Sequence, residues 1–208
     1  VGGRPLLERQ LEYLAREGVR RVVINVHHHY ESVVAFAAAY SGPVTIVVSV
    51  EVDLLGTAGG VRNALDDLGD DPFVVLYGDV VVDAPLAPVL AEHRAAGAVA
   101  TLTVYEAVEL EGKGTVETAT DGRILRFREK SSEVRPPALV NAGLYVVEPA
   151  LLAHWARGDA FDFGHDVFPR ALQRGQRLQA SRLPGSVIDI GTPAGLAEAR
   201  AREAEWSP

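Results

Sequence analysis

Two aspartates are hard to explain as packing residues. Asp79 closes Phe73-Val74-Val75-Leu76-Tyr77-Gly78, the most apolar strand-like run in the chain. Asp189 interrupts Val187-Ile188-Asp189-Ile190, just ahead of Gly191-Thr192-Pro193. An acid at the tip of a buried strand contributes no apolar surface, but it is a good hard-oxygen ligand. Mg²⁺ is usually held by one or two carboxylates, with substrate phosphates completing the shell. Two such tips, far apart in sequence, can share one ion. Asp83 is the alternative partner for Asp79, and capping of the following turn is the non-chemical reading of Asp79.

A third motif, Leu55-Gly56-Thr57-Ala58-Gly59-Gly60, precedes a helical stretch. Small residues let backbone N–H groups approach a ligand, and a helix N-terminus favours negative charge. The alternative is an ordinary glycine-rich loop with a helix cap. Glu129-Lys130 ends a hairpin pattern, and Asn141 lies within a strand pattern. A lysine at a strand tip can bind phosphate and a glutamate can accept from sugar hydroxyls, although most such pairs are solvated surface charges. The run His27-His28-His29 reads as a solvated strand end, since consecutive side chains do not converge on one ion. His165-Asp166 reads as a helix start rather than a catalytic dyad.

These residues need a scaffold, and the periodicity supplies one. Pro5 opens a helical pattern through Leu6, Leu7, Leu11 and Leu14, with Gly18 past its end, the expected Pro-first, Gly-last asymmetry. Strands are predicted at 19–26, 44–50, 73–77, 98–105, 139–147 and 178–183. Helices are predicted at 30–40, after the 51–60 loop as far as residue 68, and at 86–96, 149–156, 166–173 and 193–203. Short alternation of this kind argues α/β with a mostly parallel mixed sheet flanked by helices, Rossmann-like in outline. Residues 114–120 and 123–128, joined by Asp121-Gly122, form a β-hairpin insertion that widens one side of that sheet. In such sheets ligands bind at the carboxyl ends of the strands, where the motifs above fall. No repeat or linker divides residues 1–208, which read as one domain.

Composition narrows the function. The 208 residues carry 20 Lys+Arg against 28 Asp+Glu, a formal net charge of −8. Such a surface repels phosphate backbones and anionic lipid, arguing against nucleic-acid or membrane partners. With no cysteine there is no disulfide framework, thiolate metal site or cysteine nucleophile. No apolar run reaches the ~20 residues that span a bilayer, so the chain reads as cytoplasmic. A homo-oligomer is compatible with these features.

Taken in order, the motifs resemble the sugar-1-phosphate nucleotidyltransferases. The resemblance runs from Gly2-Gly3-Arg4-Pro5-Leu6-Leu7 through the 55–60 loop, Tyr77-Gly78-Asp79, Gly114-Thr115-Val116 and Gly122-Arg123-Ile124. It continues with Phe127-Arg128-Glu129-Lys130, Asn141-Ala142-Gly143-Leu144-Tyr145 and Asp189-Ile190-Gly191-Thr192-Pro193. It implies a Mg²⁺-dependent reaction in which a sugar 1-phosphate attacks the α-phosphorus of a nucleoside triphosphate, giving a nucleotide-sugar and pyrophosphate. It implies Asp79 and Asp189 as metal ligands, with Lys130 joining them as catalytic residues. Glu51, Gly56, Thr57, Tyr77 and Gly78 would bind the nucleotide, and Gly114, Glu129, Lys130 and Asn141 the sugar phosphate. Glu51 can accept from guanine N1–H and N2–H₂ together, which favours GTP. The pattern is most similar to mannose- and manno-heptose-1-phosphate guanylyltransferases, with uridylyltransferases as rivals.

Members of this family begin with a strand and a glycine-rich loop whose Arg and Lys grip the triphosphate, ahead of the segment that matches Val1-Gly2-Gly3. The sequence starts after that loop. The resemblance therefore implies an N-terminally incomplete domain, expected not to catalyse the transfer as written. Two further readings remain open: a non-catalytic nucleotide-sugar-binding subunit, and a metal-dependent glycosyltransferase using Asp79 with Asp83.

Overall fold

The structure is a computed structural model that describes residues 3–129 and 134–202. The chain alternates helices and strands through its first half. The order is α1 (Leu6–Arg16), β1 (Arg21–Val26), α2 (Tyr30–Ala39), β2 (Thr45–Val50), α3 (Gly56–Asn63), α4 (Leu65–Leu68), β3 (Phe73–Leu76), β4 (Val80–Asp83) and α5 (Leu86–Ala96). Strands then dominate: β5 (Ala100–Ala107), β6 (Thr115–Thr118), β7 (Ile124–Arg128) and β8 (Ala138–Val147). A π-helical turn (Phe163–Val167) leads into α6 (Phe168–Gln173), followed by β9 (Leu178–Arg182), β10 (Ser186–Asp189) and α7 (Pro193–Ala201).

The sheet is mixed rather than mostly parallel, which corrects the expectation from alternation. Among the described residues only β1/β2 and β5/β9 run parallel; β8 is antiparallel to β3, β5 and β6. Nor do the described strands form one sheet: β1–β2 and β4–β10 are separate ladders beside a six-stranded sheet ordered β7-β6-β8-β5-β9, with β3 also on β8. Apolar periodicity reports which face is buried but not strand direction, so antiparallel pairing of β8 was invisible to it. The hairpin β6–β7 forms as expected on Asp121-Gly122, with Gly122 at φ 78°, and widens the sheet beyond β8.

β8 organises everything that matters for the site. β5 pairs along one edge, while the other edge is shared by β3 at 144–147 and β6 at 139–140. Between them, at 141–143, neither strand continues the ladder. The strand also bulges here, spending four residues where β5 spends two, with Gly143 at φ 72°. The positive φ favours glycine there, and a Cβ would also crowd the turn, lying 3.1 Å from Val80 Cγ2 and 3.3 Å from Tyr77 Cβ.

The two larger of three apolar clusters among the described residues hold the layers around the site. The larger contains Tyr145, Phe163, Phe168 and Phe127, whose rings meet at centroid distances of 5.2–5.4 Å, geometry that adds to their area burial. The smaller packs Tyr13 and Leu14 of α1 against Val80, Val82, Leu86 and Leu144. The helix expected over 149–156 is only a 3₁₀ turn, Pro149–Leu151. Trp155 instead stacks on Phe161 at 4.2 Å, and that packing outweighs local helix preference. α3 begins inside the glycine-rich loop, at Gly56 rather than after Gly60. Among the described residues no helix is long and apolar enough to cross a membrane.

Candidate active site

Asp79 and Asp189 meet. β3 ends at Leu76, and the chain turns through Tyr77–Asp79 into β4, with Val80 N donating to Tyr77 O. Two neighbours fix that turn. The buried Gln10 amide donates to both Tyr77 O and Val80 O at 2.8 Å, and Tyr77 N donates to Gly143 O at 2.9 Å. β10 lies antiparallel on β4 with Asp189 opposite Val80, and Ile190 N donates to Asp79 O at 2.8 Å. The two carboxylates consequently share one corner. An Asp189 Oδ1 and an Asp79 Oδ2 lie 3.0 and 3.1 Å from the point where a Cβ on Gly191 would sit, a space that glycine leaves clear.

The electrostatics of this corner are unfavourable without a cation. Burial, and then the Asp189 charge, push the Asp79 carboxyl above the ordinary carboxylate value. Among the described residues no group of three or more His, Cys, Asp or Glu converges as a metal cage. Two hard oxygen ligands in an open corner suit Mg²⁺, which keeps water and substrate oxygens in its remaining positions.

The corner opens into a cleft of about 350 Å³, lined by many of the residues expected from the sequence. Thr57, Tyr77, Asp79, Gly114, Glu129, Asn141 and Asp189 all face it. Its back is the 141–143 gap on β8. Asn141 N donates to Gly114 O at 2.8 Å, and Asn141 Nδ2 donates to Tyr145 Oη at 2.6 Å. The Tyr77 ring meets that of Tyr145 edge-on at 5.5 Å, and burial raises the pKa of both tyrosines, so they stay neutral. Gly78 and Gly56 do not line the cleft, and Lys130 lies outside the described residues.

Several lining residues were not foreseen, among them Lys113, Asp162, Gly164 and His165. The Asp166 carboxylate does accept from Asp162 N at 2.8 Å, as at a helix start, while His165 faces the cleft. Gln10 was missed as well; its signal was a lone amide on the apolar face of α1.

The 55–60 loop is used differently from a phosphate cradle. Thr57 N donates to Asp162 Oδ1 at 2.8 Å, and Ala58 N and Gly59 N both donate to Phe161 O. The Thr57 hydroxyl donates to the same Asp162 oxygen and accepts from Phe163 N. The donors at the start of α3 are therefore consumed within the chain. Gly56, at φ 73°, has Phe161 O 2.7 Å from where a Cβ would sit, which explains glycine by close backbone packing.

Glu51 is also withdrawn from the cleft. It is 5% exposed, accepting from Asn25 Nδ2 at 2.8 Å and from Leu55 N at 3.2 Å. It thus ties the ends of β1 and β2 to the loop. Asp83, the alternative partner for Asp79, sits at the far end of β4 facing Arg16 at 3.5 Å. In the histidine run, His27 Nδ1 lies 3.0 Å from Glu51 O, while His28 and His29 are exposed.

The model of the Nucleotidyl transferase family matches residues 1–205. The chain is 30% identical over 203 residues to a UTP–glucose-1-phosphate uridylyltransferase of Synechocystis, covering 90% of this chain and 52% of that protein. It is 35% identical over 196 residues to the mannose-1-phosphate guanylyltransferase catalytic subunit beta of Danio rerio, covering 91% and 53%. The chain thus spans about half the length of these curated relatives. The crystal structure of HddC from Yersinia pseudotuberculosis superposes with a TM-score of 0.83 at 20% identity, over 98% of this chain and 87% of that one. An apo UDP-glucose pyrophosphorylase gives 0.80 at 16% identity, over 98% and 88%. Fold, motif order and sequence match together place the chain in the nucleotidyl transferase family.

Proposed function

We propose that the cleft transfers a nucleotidyl group from a nucleoside triphosphate, with GTP the first donor to test, to the phosphate of a sugar 1-phosphate. The observation that carries this reading is the Asp79–Asp189 corner: one carboxylate from the β3–β4 turn and one from the end of β10, around a space held open by Gly191. In the reaction an oxygen of the sugar phosphate forms a bond to the α-phosphorus, and the bond from that phosphorus to the β-bridging oxygen breaks. Pyrophosphate leaves with the electron pair. Asp79 and Asp189 would hold Mg²⁺, which when bound neutralises charge on the phosphates. The work of the chain is positioning: Gln10 and Gly143 fix the turn carrying Asp79, and the β4–β10 ladder fixes Asp189.

Glu129, Gly114 and Asn141 line the cleft on the hairpin side and are assigned to the sugar phosphate. Lys130 keeps its assignment as phosphate ligand on the resemblance alone. Glu51, its oxygens already engaged, is assigned to holding β1, β2 and the loop rather than to reading guanine. The relatives include both guanylyl- and uridylyltransferases at similar identity, so the assay must include both triphosphates. The test is Mg²⁺-dependent pyrophosphate release by the full-length protein with GTP and UTP, each offered with mannose 1-phosphate, a manno-heptose 1-phosphate and glucose 1-phosphate. Release that requires both substrates and disappears in Asp189→Asn supports the reading; none with any pair, or full activity in that variant, overturns it.

A further inference from the structure

The π-helical turn Phe163–Val167 presents a glycine to the cleft at a position for which the sequence offered no role. Gly164 is buried between Phe163, itself fully buried, and the exposed His165. Its φ lies outside the left-handed region, so its backbone does not demand glycine. What it lacks is room: a Cβ there would overlap Glu129 Oε2 and come within 3.0 Å of Glu129 Cδ. Across the slot, a Cβ on Gly114 would lie 2.9 Å from the same Oε2 and 2.8 Å from Phe127 Cζ. The Glu129 carboxylate therefore occupies a slot between two glycines contributed by elements fifty residues apart.

The walls of that slot are stiff. The π turn is anchored by Phe163 N donating to the Thr57 hydroxyl, and by Phe163, Val167 and Phe168 in the main core. Gly114 is pinned by Asn141 N. Single π-helical turns of this kind are frequent at functional sites, and a side chain whose rotamer is locked by rigid neighbours presents its charge at one place only.

We propose that Gly164 is a positioning residue for Glu129: by omitting a side chain it lets the carboxylate seat between two walls, and so sets how tightly the cleft holds a sugar 1-phosphate. This rests on the proposed transferase reading, in which Glu129 accepts from sugar hydroxyls. The overlapping atom is the end of the Glu129 side chain rather than backbone, so Gly164→Ala displaces the carboxylate without straining the backbone, while the Phe127 ring, its Cε1 3.2 Å from the added Cβ, must give slightly.

The experiment is a double-mutant cycle in the full-length protein on Gly164→Ala and Glu129→Asp, whose shorter side chain withdraws from the added methyl. Steady-state kinetics would be measured for both substrates, and sugar 1-phosphate binding by calorimetry. Gly164→Ala is expected to raise the KM and Kd for sugar 1-phosphate about tenfold, with the triphosphate KM and the melting temperature little changed. Adding it to Glu129→Asp should cost little more than Glu129→Asp alone. Additive losses, or an unchanged sugar 1-phosphate KM and Kd in Gly164→Ala, overturn the proposal. If the wild type binds sugar 1-phosphate but releases no pyrophosphate, the transferase reading fails while the binding arm still decides the role of Gly164. If it neither binds nor turns over, both fall.

Discussion

The aspartate corner and the start of α3 carry the kind of sequence that handles phosphates, and the fold treats them in opposite ways. At α3, Asp162 and Phe161 O absorb the leading amides, and the Thr57 hydroxyl both gives and receives a hydrogen bond. At the corner one Asp189 oxygen accepts from Gly191 N at 2.7 Å, but the two acids still face each other and Asp79 is pushed toward its neutral form. A polar cluster that completes its own bonds has little to offer a ligand; one that cannot do so is where binding free energy remains available. Glycine content was common to both and did not discriminate between them. Mutual satisfaction did.

The largest expected effect is at the corner. Asp79→Ala should lower Mg²⁺-dependent kcat by about a hundredfold or more, because metal charge stabilisation contributes several kcal/mol to such reactions. The melting temperature should not fall, since one of two like charges is removed. Loss of folding without loss of specific activity would place Asp79 with the structural cluster instead.

Asp162→Ala should do the reverse. It strips the acceptor from Thr57 N and Oγ1, and by analogy with N-cap losses it should cost about 1–2 kcal/mol in denaturant unfolding. Unchanged stability would show that the α3 donors are not tied up as described.

Glu51→Gln sharpens the contrast further. Exchanging one acceptor oxygen for a donor beside Asn25 Nδ2 and Leu55 N should cost about 1 kcal/mol, with the GTP-to-UTP ratio of kcat/KM unchanged. A shifted ratio would return Glu51 to the nucleobase.

The smallest effect is a trend with pH. Because the folded-state pKa of Asp79 is raised, the native state binds the proton more tightly than the unfolded chain. Stability of the metal-free protein should therefore fall as pH rises through the window above the ordinary carboxylate value. Asp79→Asn should flatten that slope, and Mg²⁺ should oppose it at neutral pH. Melting temperatures of both proteins from pH 4 to 7, with and without Mg²⁺, measure it.

The sequence was legible where one residue type contradicted its surroundings. Asp79 and Asp189 break apolar runs, and α5 begins and ends at the predicted residues because Pro85 and Gly97 punctuate it. The hairpin followed from Asp121-Gly122. It was illegible where meaning depends on distant partners. Asp162 looks like any loop acid until Thr57 is beside it, and Gln10 is one amide in an amphipathic helix until the 77–80 turn rests on it. Strand direction failed for a related reason, since β8 reads as apolar whichever way its neighbours run.

The shared edge of β8 also bears on when a site can exist during folding. β8 spans residues 138–147 and must collect β3 from some seventy residues upstream and β6 from about twenty, while Asp189 arrives later still on β10. Contacts so distant along the chain form slowly and together. A nascent chain ending before residue 138 would hold Asp79, Gly114 and Glu129, yet enclose no cleft, because the strand that sets them apart and holds them in register has not been made. Binding competence should therefore emerge in one step, late, and refolding followed by ligand binding should lag behind helix formation.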